Sequence, residues 1–512
     1  MKPQSLVRNI MTVGGWTLIS RGTGFARDVM MAAYLGTGPV AEAFLIAFSL
    51  PNMFRRFFAE GAFNMAFVPM FAKKLEGGED AAGFARDAWN GMVTLLLAFT
   101  VIGTLAMPWL VWAMASGFSG ERFDLAVTFG QISFSYILFI SLVALLSGIL
   151  TTHGRFSEAS FVPVLMNLVF IAAMGLAVWA GWDMGLTLSW TVPITGVAQL
   201  AFTWVAARKI GYAFTFGLPR WTADLARLAL IAGPAVLAGG VVQINLLVGR
   251  QVASFTEGAV AWLSYADRLY QLPLGVVGIA IGTVLLPDLS RRLRAGDSEG
   301  GRASFNRGAE FALAMTLPAA VALAVLAEPL CSVLYQRGAF TDQDTQATAL
   351  VLAIYGVGLP AFVLHKVLQP LFYAREDSRS PFRFAVVSMI INAVLAVGML
   401  PYLGFSAAAW ATTLSGWVMV GQLWRGSRRM GPEARFDARF MQRLPRIVAA
   451  CVIMGAVLWA AAWALTPALH LPLWRYLALT ALCALGIAAY FGAGTALGAF
   501  KLKDFAALRR RA

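Results

Sequence analysis

The stretch that decides the fold class is residues 160–181, SFVPVLMNLVFIAAMGLAVWAG, which runs without a single charged side chain. An α-helix of about 20 apolar residues is long enough to cross a hydrocarbon core of about 30 Å. Similar apolar blocks follow one another along the chain, separated by short polar breaks. They lie near residues 10–35, 41–72, 88–115, 126–152, 160–181, 188–207, 226–252, 259–288, 308–335, 346–373, 384–402, 406–424, 447–466 and 475–498. The sequence therefore predicts an all-α polytopic membrane protein of about fourteen transmembrane helices.

The overall composition supports the same fold class. Of the 512 residues, 59% are hydrophobic and only 13% are charged, and the mean hydropathy is +0.71. Soluble domains average about 25% charged residues, so a soluble fold is excluded. The formal net charge of +14 would suggest a nucleic-acid partner in a soluble protein. Here the basic residues cluster in loops, and we expect no nucleic-acid binding.

Basic residues occupy alternate loops between the predicted helices. They are Lys73, Lys74 and Arg86; Arg155; Arg208, Lys209 and Arg220; Arg291, Arg292, Arg294 and Arg302; Arg375, Arg379 and Arg383; seven arginines in residues 425–446; and Lys501, Lys503 and Arg509 to Arg511. Lys and Arg favour the cytoplasmic side of a membrane. This pattern predicts that both termini are cytoplasmic and that the number of transmembrane helices is even.

An internal similarity suggests a duplicated architecture. Residues 68–75, VPMFAKKL, resemble residues 286–293, LPDLSRRL, and the pair Gly154-Arg155 resembles Ala374-Arg375. Both matches lie close to 220 residues apart, which predicts two six-helix lobes in a parallel pseudo-twofold repeat. Chance similarity between basic helix ends is the alternative. The predicted parts are an N-lobe of helices 1–6 at 1–220, a C-lobe of helices 7–12 at 221–430, and a C-terminal helix pair, helices 13–14, with a basic tail at 431–512.

Charged residues inside the predicted spans are the candidate site. Such residues are costly in a bilayer and usually face a wet cavity, and guanidinium groups bind phosphate in a bidentate way. We therefore expect an anionic, phosphate-bearing substrate. The predicted substrate-binding residues are Arg21, Arg27, Arg55 and Arg268, and the predicted cavity counter-charges are Asp28, Glu42, Glu60 and Asp267. The alternative for Arg27 with Asp28, and for Asp267 with Arg268, is a structural charge pair.

Catalytic chemistry has no visible basis in this sequence. It contains no Walker A motif, no cluster of residues with metal-ligand spacing and no loop large enough for a catalytic domain. We expect no enzyme activity, no catalytic residues, no metal and no cofactor. Transport would then draw on an ion gradient or the membrane potential, with a coupling cation that the sequence does not identify.

Three motifs carry a resemblance to a known family. They are residues 20–28, SRGTGFARD; residues 51–63, PNMFRRFFAEGAF; and residues 265–269, YADRL, followed by Pro273 and Gly275. In order and spacing they resemble the motifs of the MurJ (MviN) lipid II flippases. The resemblance runs from about residue 5 to residue 430 and continues more loosely to the C-terminus.

The resemblance implies the fold of the multidrug/oligosaccharidyl-lipid/polysaccharide exporter superfamily in a bacterial inner membrane. It also implies alternating access that moves lipid II, the undecaprenyl-diphosphate-linked peptidoglycan precursor, from the cytoplasmic to the periplasmic leaflet. Arg21, Arg27, Arg55 and Arg268 would contact the diphosphate, the terminal helix pair would hold the lipid tail, and cell-wall synthesis proteins are candidate partners. The alternatives are a drug/cation antiporter or another polyprenyl-linked oligosaccharide flippase of this superfamily, a membrane-embedded polyprenyl-phosphate enzyme, and a scaffold without transport activity.

Overall fold

The computed structural model describes residues 3–55 and 62–500, and these residues form helices and connecting segments with no strand. The helices are α1 (Pro3–Leu35), α2 (Pro39–Arg55), α3 (Ala62–Glu76), α4 (Ala81–Leu105), α5 (Met107–Met114), α6 (Glu121–Ser133), α7 (Tyr136–Thr152), α8 (Phe156–Ala180), α9 (Met184–Arg208), α10 (Ala223–Ala253), α11 (Ala259–Arg294), α12 (Ser298–Val325), α13 (Ala327–Tyr335), α14 (Asp342–Tyr373), α15 (Arg379–Leu403), α16 (Ser406–Ser427), α17 (Ala438–Ala464), α18 (Thr466–Leu469) and α19 (Trp474–Ala496). The predicted all-α fold is confirmed.

Several of these helices are long and apolar enough to cross a bilayer. Within the described residues, eight segments meet both criteria: Ala81–Leu105, Glu121–Thr152, Phe156–Ala180, Ser298–Val325, Asp342–Tyr373, Arg379–Leu403, Pro432–Ala464 and Trp474–Ala496. The chain is therefore a multi-pass membrane protein, while the count of fourteen spans stays a prediction.

Two of the predicted helices are each divided in the same way. The third predicted helix breaks at Ala106 between α4 and α5, and the ninth breaks at Leu326 between α12 and α13. Pro108 and Pro329 follow these breaks within the first turn of the next helix. Proline lacks an amide donor and is tolerated in a first helical turn but not in a helix interior. The two breaks lie 220 residues apart, at the spacing of the predicted repeat.

The helix ends provide independent support for the duplication. Residues with positive φ recur in two matched sets: Gly36, Gly78, Gly120, Gly154, Gly181 and Gly211, then Gly258, Gly296, Gly338, Glu376, Gly404 and Gly431. Taken in order, each member of the second set follows its counterpart by 218 to 223 residues. This conformation is uncommon for residues other than glycine, so six matched pairs are difficult to explain by chance. The backbone plan of residues 36–211 is thus repeated in residues 258–431.

Contacts divide the chain into two compact units. The first comprises the described residues up to Ala261 together with Arg337–Phe340, and the second comprises Trp262–Gln336 and the described residues from Thr341 onward. In the first unit, α1 packs on α8, α2 packs on α6, α7 and α8 pack on α9, and α10 packs on α3. The unit boundary therefore lies one helix beyond the predicted lobe boundary at 220/221, which stays a prediction from the sequence repeat.

Two sets of polar contacts explain why α10 lies in the first unit. At one end, Lys74 Nζ bridges Glu79 and Asp224, at 2.8 and 3.1 Å, so the end of α3 is tied to the first turn of α10. Hydrogen bonds to Glu79 and Asp224 raise the pKa of Lys74 above its usual value. At the other end, Gln251 Nε2 donates to the carbonyl oxygens of Trp112 and Ala113 at 3.2 and 2.8 Å.

In the second unit the C-terminal helix pair packs on α12. Helix α17 contacts both α12 and α19, and Met454, Leu458 and Leu482 belong to the buried cluster between them. Tyr490 Oη on α19 donates to the carbonyl oxygen of Ala314 on α12 at 2.6 Å. The pair is thus anchored to the body of the unit by apolar packing, by this buried hydrogen bond, and by ion pairs of Arg439 and Arg443 on α17 with Glu310 on α12.

Candidate functional site

The most buried of the predicted substrate-binding residues is Arg27 on α1. Its side chain forms an ion pair with Asp28, with Arg27 Nη2 and Nε at 2.7 and 3.0 Å from Asp28 Oδ1. Arg27 and Asp28 are only 5% and 8% exposed. Charged groups are rarely this buried unless they are paired. Asp28 is thus a counter-charge to Arg27, and the pair is part of the packed interior of the first unit.

A second helix, α8, also contacts the Arg27 guanidinium. Arg27 Nη1 donates to Asn167 Oδ1 on α8 at 3.0 Å, and the Arg27 guanidinium carbon lies 5.7 Å from the centre of the Phe170 ring. Asn167 Nδ2 in turn donates to the carbonyl oxygen of Ser20 at 3.0 Å and to Thr23 Oγ1 at 3.2 Å. Arg27 is therefore fixed in position before any ligand arrives.

Asn167 is a site residue that the sequence analysis did not identify. It is the one amide side chain in the otherwise apolar stretch 160–181, and this was the available signal. Gly24 allows its close approach, because a Cβ atom at Gly24 would lie 3.2 Å from Asn167 Nδ2. The contact joins residues 140 positions apart in the sequence, so neither periodicity nor local spacing predicts it.

The other two predicted substrate-binding arginines of the first unit, Arg21 and Arg55, lie on α1 and α2. Arg21 is half-buried, six residues or about 9 Å of helix rise before Arg27. Within residues 3–55 and 62–500 its side chain has no hydrogen bond or ion pair. Arg55 is half-buried in the last turn of α2, where its Nε donates to Asn52 Oδ1 at 3.2 Å. A role of Arg21 toward substrate stays a prediction.

Glu42, one of the predicted counter-charges, forms a buried ion pair with an arginine. It is fully buried, its Oε2 accepts from Arg122 Nη1 at 3.1 Å, and its Oε1 accepts from the amide of Val260 at 3.0 Å. Arg122 also lies over the Phe118 ring at 4.9 Å. Glu42 is therefore a counter-charge to Arg122 and caps the start of α11. A direct role toward substrate stays a prediction.

The remaining predicted site residues are distributed elsewhere. Arg268 and Asp267 lie on α11 in the second unit, where Arg268 is exposed and Asp267 is half-buried. Asp267 accepts a hydrogen bond from Gln271. Glu60 lies outside the described residues. The structure thus brings Arg27 and Asp28 into direct contact and places Arg268 in a separate compact unit.

Comparison with known proteins decides the family. A sequence model of the family described as "Lipid II flippase MurJ" matches residues 31–477. The chain belongs to the MurJ family. The "Probable lipid II flippase MurJ" of Rhizobium meliloti (strain 1021) is 45% identical over 510 residues, covering 97% of this chain and 95% of the relative. The "Lipid II flippase MurJ" of Burkholderia cenocepacia is 35% identical, covering 99% and 100%.

Solved structures show the same fold. A structure described as "Lipid II flippase MurJ, inward closed conformation" matches with a TM-score of 0.78 at 24% identity, covering 94% of this chain and 98% of that one. An inward-facing multidrug resistance transporter of the MATE family, in the MOP superfamily, matches with a TM-score of 0.67 at 14% identity, covering 80% and 94%. The predicted superfamily fold is therefore confirmed.

Family membership identifies the chain as a membrane transporter and not an enzyme. Within the described part of the chain, no group of three or more His, Cys, Asp or Glu side chains is arranged to hold a metal ion. A fixed guanidinium group such as that of Arg27 can bind an anion through charge-assisted hydrogen bonds.

Proposed function

We propose that this chain is a lipid II flippase of the bacterial inner membrane that moves the undecaprenyl-diphosphate-linked precursor to the periplasmic leaflet by alternating access. Family membership supports the substrate. The buried arrangement of Arg27, Asp28 and Asn167 is the observation in the structure that carries the proposal, because it places a permanently charged phosphate-binding group inside a membrane protein.

The Arg27 guanidinium keeps binding capacity for a diphosphate. A guanidinium has five N–H donors, and Asp28 and Asn167 take three of them through Nε, Nη1 and Nη2. Asp28 lowers the cost of burying the charge while no substrate is bound. We propose that Arg21, Arg27, Arg55 and Arg268 share the diphosphate, and that Asp28, Glu42 and Glu60 act as counter-charges during the return step. Asp267 would be a further counter-charge of the cavity.

The exposed surface of the C-terminal helix pair supports a role in holding the lipid tail. On α17 the large apolar side chains of Val452, Trp459 and Trp463 are 64%, 70% and 78% exposed, and on α19 those of Leu477 and Ile487 are 63% and 62% exposed. Side chains of this kind suit contact with a hydrocarbon chain. We propose that the polyprenyl tail stays against this pair while the head group crosses.

The proposed orientation follows from the basic loops. It places both termini and residues 425–446 on the cytoplasmic side, where cell-wall synthesis proteins are candidate partners. Transport would then draw on the membrane potential or on a coupling cation of unidentified type, with no bound cofactor.

Depletion of the protein in its host tests this function. Leaflet-resolved quantitation of the lipid-linked precursor should show cytoplasmic-leaflet accumulation that the wild-type gene relieves. At equal abundance, Arg27→Ala and Arg268→Ala should fail to relieve it, whereas Arg208→Gln, at an exposed arginine outside the site, should succeed. An unchanged precursor distribution in a host without a second flippase would reject the lipid II assignment and favour the antiporter.

A further inference from the structure

A small cleft lies between the end of α16 and the segment that leads into α17. It has a volume of about 350 Å³ and is lined by Trp424, Arg428, Ala434, Arg435 and Phe436. The volume is at the lower end of the range of about 300–1,000 Å³ that is typical of small-molecule sites. All five residues belong to the second unit, so the cleft is complete within one compact body and is separate from the Arg27 site.

The carboxylates near this cleft are already occupied by other arginines. Glu433 pairs with Arg375, and Asp437 pairs with Arg307. Glu310 pairs with three arginines, which are Arg307, Arg439 and Arg443. Among the described residues 3–55 and 62–500, no carboxylate therefore forms an ion pair with either of the two cleft arginines, Arg428 and Arg435.

The Arg428 side chain and the Arg435 backbone are held by their surroundings, and both arginine side chains are exposed to a ligand. The Arg428 guanidinium carbon lies 3.9 Å from the centre of the Trp424 ring, and stacking on a ring face leaves the in-plane N–H donors available. The carbonyl oxygen of Arg435 accepts from Arg302 Nε at 3.2 Å and from Asn306 Nδ2 at 3.0 Å. The backbone that carries Arg435 is thus tied to α12.

The aromatic wall of the cleft is equally fixed. The Phe436 ring stacks on Phe440 with centroids 4.4 Å apart and on Phe305 with centroids 5.6 Å apart, and the Phe436 carbonyl oxygen accepts from Arg302 Nη2 at 2.8 Å. A cleft with two guanidinium groups that have no carboxylate partner among the described residues, and with two aromatic walls, offers an anion site beside an apolar surface. That combination matches the phosphate group and upper acyl region of a membrane lipid.

We infer that this cleft binds the phosphate group of a lipid on the cytoplasmic side of the membrane, with Arg428 and Arg435 as the phosphate ligands and Trp424 and Phe436 against the apolar part. The phosphate could belong to an anionic phospholipid or to a polyprenyl diphosphate. The same chemistry serves both, and the test below separates them.

The test is native mass spectrometry of the purified full-length chain in detergent, with phosphatidylglycerol, undecaprenyl diphosphate and phosphate-free diacylglycerol as probes. The variant is Arg428→Gln with Arg435→Gln. The matched control is Arg425→Gln with Arg429→Gln, which removes the same charge from exposed positions on the same segment outside the cleft. The thermal midpoint of each variant shows whether it is folded.

The cleft variant should weaken the binding of at least one of the two phosphate lipids about tenfold or more, as expected for losing charge-assisted hydrogen bonds. The control pair should change it by less than about threefold, and diacylglycerol binding should not change. For undecaprenyl diphosphate the quantity to follow is the second bound molecule, because the first is assigned to the Arg27 site. Loss of that second molecule alone assigns the cleft to polyprenyl diphosphate, and loss of phosphatidylglycerol alone assigns it to phospholipid.

Two results would overturn the inference. The first is an equal loss of lipid binding in the cleft and control variants, which would attribute the effect to general surface charge. The second is undiminished binding of both phosphate lipids to a folded cleft variant. Binding is measured without transport. The phosphatidylglycerol result therefore stands or fails independently of the proposed flippase function, and only the assignment of the first undecaprenyl diphosphate to the Arg27 site rests on that function.

Discussion

Arg27 depends on a residue from another helix for its position. Asn167 accepts from Arg27 Nη1 and donates to α1 through the carbonyl oxygen of Ser20 and the hydroxyl of Thr23. Asn167→Leu has a similar volume but makes none of these bonds. We expect the flipping rate to fall about tenfold at equal abundance, because one hydrogen bond to a charged group contributes about 1.5–3 kcal/mol.

The measurement is a flipping assay over a range of lipid II concentrations. A positioning role predicts that Asn167→Gln, which keeps the amide, restores part of the activity. Leu168→Ala, at an exposed neighbour on α8, should leave it intact. Wild-type rates in Asn167→Leu would show that Arg27 does not need this contact.

Glu42 and Arg122 form a buried ion pair, which we expect to stabilise the fold. Removing one partner of such a pair typically costs about 3–5 kcal/mol, because the other charge stays buried. We expect Glu42→Gln to lower the thermal midpoint clearly, and Glu42→Gln with Arg122→Met to cost less than the sum of the single changes. Glu158→Gln, in the more exposed pair with Arg155, should cost no more than about 1 kcal/mol. Additive effects in the double variant would refute the pairing.

At the residue scale, the sequence identifies candidate site arginines from charged residues in apolar blocks, but it does not identify the groups that hold them. Arg27 and Asp28 are neighbours, so the sequence allows either a structural charge pair or a substrate-binding role for Arg27. Asn167 lies 140 residues from Arg27, and Arg122 lies 80 residues from Glu42. Contacts of this kind depend on how helices pack, and a single sequence contains no direct signal for them.

At the scale of elements, the segment Arg337–Phe340 shows how a helix connection is fixed. The amide of Ala339 donates to the carbonyl oxygen of Ala33 at 2.8 Å. Gly338 has a φ of +58°, and a Cβ atom there would lie 2.2 Å from that same oxygen. We expect Gly338→Ala to displace the segment from the end of α1 and to lower the thermal midpoint of the protein.

A second glycine with positive φ separates the cost of backbone strain from the cost of the steric clash at Gly338. Gly181 also has positive φ, at +69°, but a Cβ atom there would have no neighbour within 4 Å. Gly181→Ala should therefore show only the backbone cost of about 1–2 kcal/mol, and Gly338→Ala should exceed it. Equal midpoints for the two variants would show that Arg337–Phe340 does not pack tightly against α1.

Helix positions were largely predictable, while the breaks inside them were not. Apolar blocks locate the helices because each block must be long enough to span a bilayer. The breaks at Ala106 and Leu326 fall inside the apolar blocks predicted at 88–115 and 308–335, and a single charged residue, Glu328, near the second break does not divide its block. Pro108 and Pro329 mark them only once the structure shows that a helix restarts there.

At the scale of the whole molecule, duplication was predictable from two short matches near 220 residues apart. The six pairs of positive-φ residues extend the duplication over residues 36–431. Hydropathy does not predict these pairs, because the average hydropathy of a segment does not determine its backbone conformation. The assignment of α10 to the first compact unit was not predictable. It rests on Gln251 and Lys74, whose partners lie far away in the sequence.

The central claim is that this chain alone moves lipid II between leaflets through the Arg27 site. The most direct measurement reconstitutes the purified chain into liposomes with a fluorescent lipid II and follows its accessibility to a membrane-impermeant quencher. The account predicts that wild-type protein brings inner-leaflet lipid II to the quencher, and that Arg27→Lys, which keeps the charge but loses the guanidinium fork, does so much more slowly. Quenching that stops at the outer leaflet with folded wild-type protein would contradict the account.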